Sequence, residues 1–423
     1  MSIVHRRSVK TYWSICPTKF AMKTCNPLRT ITESLNLMPN PKKKLIPLSI
    51  GDPTVFGNLQ ACSEIQDAVV EAAASGLHNG YKPTLGWHEA RQAVAKYSAH
   101  QGNVKPEDVI LCNGCSSAVD MIISVLVHPG QNILCARPGY SIYGTISAGF
   151  DIELRHYNLL ADENWEIDLD HLESLIDEKT AAVVITNPSN PCGSVFSRQH
   201  LEKVIAIAEK HFLPIIADEI YENIVFPGVE YTSVASLSEN VPVLSCGGLS
   251  KRFLVPGWRL GWIIVHDRHD QLTEIRKGLT NLTGRLLGSN SLIQAALPAI
   301  LSRTPQSFYD DLNCSLQKTA HMAYDLLRQI RGLNPVMPQG AMYMMVGIEM
   351  ELFPCFHNEM EFVCALVEEQ SVFCLPGECF KFPNFMRIVI TVPAEVMREA
   401  CQRIHEFCHQ HSLLDKRIIT NGI

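Results

Sequence analysis

The run CGGLSKRFLVPGWRLGW, residues 246–262, decides how this chain is read. Lys251 stands in it among small and apolar residues, and Arg259 follows eight positions later, after a Pro-Gly turn. That arrangement suits an aldehyde that also carries a phosphate. The amine forms a Schiff base with the aldehyde, and the guanidinium pairs with the phosphate. Taken alone, a lysine is more often simply solvated, whereas the apolar setting PGWRLGW favours a buried anion beside Arg259. The placement of the other polar residues settles the matter.

Working outward, short apolar runs recur at 109–112, 133–136, 183–186, 213–217, 243–246 and 262–265. They are apolar on both faces rather than alternating, as strands of a covered parallel sheet are. Helical patterns such as 199–210 lie between these six runs, so the fold class is α/β, with a mostly parallel sheet covered by helices. Ser63 and Gln66 form a capping-box pattern, followed by an apolar stripe of Ile65, Val69 and Ala72 and a terminating Gly76. After about residue 310 the pattern changes. Amphipathic stretches near 310–330 and 394–409 flank strand candidates at 342–346 and 387–391, which describes a smaller α+β domain. A strand at 45–50 completes it and brings the two ends of the chain together. The expected division is a basic flexible arm (1–25), a small domain (26–60 plus 311–411), a large cofactor-binding domain (61–310) and a flexible tail (412–423).

Composition narrows the class. The chain has 423 residues, 46% hydrophobic and 19% charged, which is enough to bury a large core. A formal net charge of −7 gives no support for nucleic-acid binding. The 15 cysteines are scattered, several within apolar runs (Cys112, Cys135, Cys246), and none recur at zinc spacing; no metal is expected. With no secretory signal and no long apolar stretch, a reduced, soluble, cytoplasmic protein away from membranes is expected. Arg6, Arg7, Lys10, Lys19, Lys23 and Arg29 all precede the first acidic residue, Glu33. That arm also fits a mitochondrial targeting peptide.

In open parallel sheets, ligands bind beyond the carboxyl ends of the strands. Asn113-Gly114-Cys115-Ser116 follows one apolar run and opens a helix at 118–126, where free N–H groups and the helix dipole cradle a phosphate. Tyr140, Asn190, Asp218 and Lys251 follow four further runs. Each has a plainer reading: Asp218 as a helix cap, Asn190 in NPSNPCG as a turn former, Tyr140 as a packed loop aromatic. Joint placement at five strand ends outweighs them.

With these motifs the chain resembles the fold-type I pyridoxal-phosphate aminotransferases of class I/II, over residues 26 to about 410, which implies a mostly parallel, seven-stranded sheet in the large domain. The runs NPLRTI, LSIGDPTVFGNL, NPSNPCGSVF, ADEIY, KRFLVPGWRLGW, GAMYMMVGIEM and VITVP resemble, within that family, members that act on tyrosine. The resemblance implies that Lys251 holds pyridoxal 5'-phosphate as a Schiff base and shuttles the substrate α-proton. It implies that Asp218 pairs with the protonated ring nitrogen, that Asn190 and Tyr221 bond the phenolic oxygen, and that Tyr140 stacks on the ring. Arg259 with the amides of Gly114, Cys115 and Ser116 would hold the phosphate. Tyr81, in NGYKPT, would reach the phosphate of a neighbouring subunit, which implies a homodimer with shared sites. Arg387 would pair bidentately with the substrate α-carboxylate, a geometry lysine does not reproduce. Gly51 would let that carboxylate approach the backbone, and Asn190 would border the substrate too. Gly248 departs from the family pattern, standing where many relatives carry a phosphate-binding serine, and Cys115 departs beside it in the phosphate loop. Arg285 falls where aspartate aminotransferases bind a second carboxylate, with a packing or ion-pair role as its alternative. The implied reaction moves the amino group of L-tyrosine to 2-oxoglutarate, giving 4-hydroxyphenylpyruvate and L-glutamate, the first step of tyrosine breakdown. A broader aromatic or kynurenine aminotransferase, a β-lyase and a non-catalytic binder are the competing readings.

Overall fold

The computed structural model describes residue 13, residues 15–35 and residues 37–413. Expectations for residues 1–12, 14 and 414–423 fall outside that range. The central element is an eight-stranded sheet. Across it the strands run Val109–Cys112, Gly261–His266, Val243–Gly248, Ile215–Asp218, Thr180–Thr186, Asn132–Arg137, Glu153–Leu160 and Glu166–Ile167. Gly261–His266 is antiparallel to both of its neighbours and Glu166–Ile167 to its one, while the five strands between them are mutually parallel.

Two-sided burial accounts for the non-alternating runs. Val184, Ile216 and Leu244 face one apolar cluster, and Val183, Ile185, Ile215 and Ala217 face another. The sheet has one strand more than the seven expected: to the six apolar runs it adds Glu153–Leu160 and Glu166–Ile167 at its edge. The partly exposed ELRHYNLL lacks the two-sided apolarity that marks the inner strands. The register sets three residues side by side across the middle of the sheet: Thr186 opposite Asp218, and Asp218 opposite Cys246.

A four-stranded antiparallel sheet orders Leu333–Pro335, Tyr343–Ile348, Phe385–Val389 and Leu375–Pro376. Helices Gln306–Leu327 and Ala394–His411 pack together beside it. The strand expected at 45–50 shrinks to Ile46–Pro47, parallel to Val372–Phe373. Beyond it the Leu48 carbonyl still accepts from Val389 N, so the early segment does meet the late one.

The capping box at Ser63 does not form. Ser63 is the first helical residue of Ser63–Ala74, Cys62 occupies the cap position without a side-chain capping bond, and the Gln66 amide reaches the Ala61 carbonyl instead. Gly76 does terminate the helix with a φ of +66°. Within the stretch expected to be an arm, Lys19–Lys23 forms a short helix capped by Thr18, and Phe20 packs 5.2 Å from Phe150. Among the described residues, no helix is long and apolar enough to cross a membrane.

Candidate active site

At the carboxyl end of the large sheet lies a cavity of about 520 Å³. Lys251, Asp218, Asn190, Tyr221, Tyr140 and Arg387 all line it, as do Gly51, Cys115, Ser116 and Arg259.

Asp218 is the last residue of the Ile215–Asp218 strand and is buried; no helix starts there, so it is not a cap. Its Oδ2 accepts from the Tyr143 hydroxyl at 2.7 Å, and that hydroxyl lies 2.8 Å from Thr186 Oγ1, one strand over. Oδ1 accepts from Ile220 N at 3.3 Å and from the Cys115 thiol at 3.5 Å. Burial pushes the Asp218 carboxyl up, outweighing these donors and the charge of Lys251. A carboxylate in that position is best satisfied by a cation brought to it.

Lys251 lies three residues past the Val243–Gly248 strand, and its Nζ donates to the Gly51 carbonyl at 2.6 Å. Arg259 adopts a left-handed backbone (φ +53°), and its guanidinium donates to the carbonyls of Pro256 and Asn113, each at 3.1 Å. Gly114, at φ +84°, precedes the Cys115–Leu126 helix, and a Cβ there would stand 2.5 Å from Arg259 Nη2. Only glycine lets the guanidinium lie against the helix start, so two anion-attracting features converge there. A Cβ at Gly248 would meet the Leu260 carbonyl oxygen at 2.9 Å and Gly261 Cα at 3.0 Å, which explains why no serine occupies that position.

Arg387 comes from the other sheet. Its Nη1 donates to Asn190 Oδ1 at 3.0 Å and its Nη2 to the Ser49 carbonyl at 2.8 Å, while the buried Nε has no partner among the described residues. Burial lowers its pKa. Its guanidinium lies 4.3 Å from the Tyr343 ring centroid and 4.9 Å from that of Phe380. The first contact follows from register. Tyr343 pairs with Val389 and Met345 with Arg387, so Tyr343 and Arg387 are diagonal neighbours on one face.

Tyr343 is the main functional residue that sequence reasoning missed. Its hydroxyl lies 2.7 Å from that of Tyr221, and a Cβ at Gly51 would approach it to 2.7 Å. Gly51 is thus required here to make room for that phenol. Burial raises the Tyr343 pKa, but Lys251 and Arg387 outweigh it and the net shift is downward. A tyrosine within the otherwise apolar GAMYMMVGIEM was the available signal, since a buried phenol needs a polar partner. Tyr143, which holds Asp218, carried no signal beyond its closeness to Tyr140. The Tyr140 phenol is pushed up to about 12, mainly by burial, and its ring meets that of Tyr143 edge-on at 6.0 Å.

Three expected residues do not line the cavity: Gly114, which stands just before the helix there, Tyr81 and Arg285. Tyr81 is 87% exposed. Arg285 follows the end of the Thr273–Thr283 helix on an exposed turn, near enough to Asp120 to offset part of the burial that raises that carboxyl.

A model of the aminotransferase class I and II family matches residues 43–404. The tyrosine aminotransferase of Mus musculus is 54% identical over 404 residues, spanning 95% of this chain and 89% of that protein. The tyrosine aminotransferase of Homo sapiens is 53% identical, with the same 95% and 89% coverage. Among solved structures, the tyrosine aminotransferase from Leishmania infantum matches with a TM-score of 0.91 at 35% identity, covering 95% of this chain and 100% of that one.

Proposed function

The chain belongs to the class I and II aminotransferases, and on that premise we propose that it transfers the amino group of L-tyrosine to 2-oxoglutarate, with pyridoxal phosphate as cofactor. The observation that carries this reading is the meeting of Lys251, Asp218 and Arg387, from three distant parts of the chain, in one cavity of about 520 Å³. The residues fit that cofactor. A buried carboxylate with raised pKa calls for a protonated ring nitrogen. The Gly114 helix start and Arg259 suit a phosphate.

When bound, pyridoxal phosphate supplies an electron sink that lowers the barrier to removing the substrate α-proton. The rest of the work falls to side chains. Arg387, packed on Tyr343 and held by Asn190, orients the α-carboxylate. Lys251 Nζ accepts the proton leaving the substrate Cα, a general-base step. Tyr143, Cys115 and Ile220 N hold the Asp218 carboxylate, which would pair with a protonated ring nitrogen. Leu28, Ile142, Phe373 and Leu375 give the cavity apolar walls that suit an aromatic side chain. Tyr81 and Arg285, both exposed, are placed by this reading in a site shared with a second copy, Arg285 receiving the second carboxylate of 2-oxoglutarate. A cytoplasmic setting and a role in tyrosine breakdown complete the reading.

An absorbance spectrum of the cofactor-loaded protein tests it. Tyrosine should bleach the cofactor band and 2-oxoglutarate should restore it. A band that forms but ignores tyrosine leaves the cofactor in place and refutes the substrate.

A further inference from the structure

Away from the cavity, three side chains from three segments form a second constellation. Cys355 lies on the exposed loop between Met350–Leu352 and the Glu359–Gln370 helix. His411 ends the Ala394–His411 helix, and Glu369 lies near the end of Glu359–Gln370. His411 Nε2 is 2.9 Å and 3.0 Å from the two Glu369 carboxylate oxygens, and His411 Nδ1 is 3.6 Å from Cys355 Sγ.

The tautomer follows from the partners. A carboxylate only accepts, so Nε2 must carry the proton it shares with Glu369. In the neutral ring, Nδ1 is then a bare acceptor facing the thiol. The ring has little freedom to turn away. Phe407 and Phe356 lie 4.6 Å and 5.1 Å from it, and the histidine side chain is only 17% exposed. A nucleophile within reach of a base, with the base oriented by a third group, is the general pattern of an activated side chain.

We propose that Cys355, activated by His411 and Glu369, is a reversible modification site that reacts with low-molecular-weight disulfides. Cys355 passes its proton to His411 Nδ1 and its sulfur attacks one sulfur of the disulfide. A new S–S bond forms as the old one breaks, and the departing thiolate leaves with the electron pair and collects the proton from His411. One disulfide is consumed and one formed, with no net oxidation. The exposed loop gives the reagent access. The buried thiols Cys112, Cys135 and Cys246 have none.

Oxidised glutathione is the probe. The cofactor-loaded protein is incubated with it near neutral pH, and the modified cysteines are mapped by mass spectrometry over time. Cys25 is the internal standard, since it is also exposed and, among the described residues, its thiol meets the Thr30 hydroxyl rather than a base. Cys355 should react roughly tenfold or more faster than Cys25. His411→Gln should bring it down to the Cys25 rate, and Glu369→Gln should slow it several-fold. Retained amino-transfer activity in both variants shows that they fold. Equal rates at Cys355 and Cys25, or an undiminished rate in His411→Gln, would overturn the proposal.

Discussion

In the eight-stranded sheet the reactive groups stand at or beyond the carboxyl ends of strands: Asp218 closes one and Lys251 follows another. In the four-stranded sheet, Arg387 lies within its strand, paired on both sides, and Tyr343 opens the neighbouring strand, paired with Val389. The difference corresponds to a division of labour. Strand ends open into loops, where a lysine amine has room to change partners. Positions inside a strand are fixed by the ladder, which suits a guanidinium that must present one rigid face. On the proposed reading, the large sheet supplies the chemistry and the small sheet supplies the recognition. Tyr343 touches both, through Tyr221 on one side and Arg387 on the other.

The largest effect belongs to the chemical half. Lys251→Ala should lower kcat by about 10⁴-fold, the upper range for loss of a positioned acid–base group, and Lys251→Arg should not recover it. Single-turnover measurements would check this. A variant retaining a tenth of the activity would mean that another base is at work. The recognition half comes next. Arg387→Lys should cost about 3 kcal/mol, roughly 100-fold in kcat/KM for tyrosine, carried mostly by KM. A pure kcat effect would undo the division between the sheets. Tyr343→Phe is the subtlest, because it keeps the ring beneath Arg387 and removes only the hydroxyl beside Tyr221. It should cost about 1 kcal/mol, roughly fivefold, in kcat while leaving KM near its original value. A rise in KM instead would move Tyr343 wholly to the recognition side.

The same contrast explains what was legible in the sequence. Asp218 and Lys251 follow two-sided apolar runs, so the strand-end rule reaches them without any knowledge of contacts. Arg387 and Tyr343 sit inside such runs, where local pattern marks them only as strand residues. Arg387 was reached through motif resemblance, and Tyr343 went unassigned because its partners come from other segments. The Tyr143–Asp218 bond spans 75 positions and joins a helix to a strand, a contact no spacing rule foretells. At the edges the limits are of a different kind. Glu153–Leu160 is only partly covered, and its mixed pattern looks like a loop. Ser63 and Gln66 carry the capping-box residues, but the helix begins one residue early and absorbs the serine.

The row of Thr186, Asp218 and Cys246 across the large sheet sets a limit on how such a chain can vary. Successive strand residues point to opposite faces, so Asp218 keeps its place only while the count along Ile215–Asp218 is preserved. Lengthening a surface connection by a few residues changes little, because slack is taken up in solvent. Inserting or deleting a single residue inside this strand would turn the carboxylate to the far side of the sheet, among the apolar residues packed there. Insertions and deletions are therefore tolerated between the strands and excluded within this one, where the site depends on whether a residue number is odd or even.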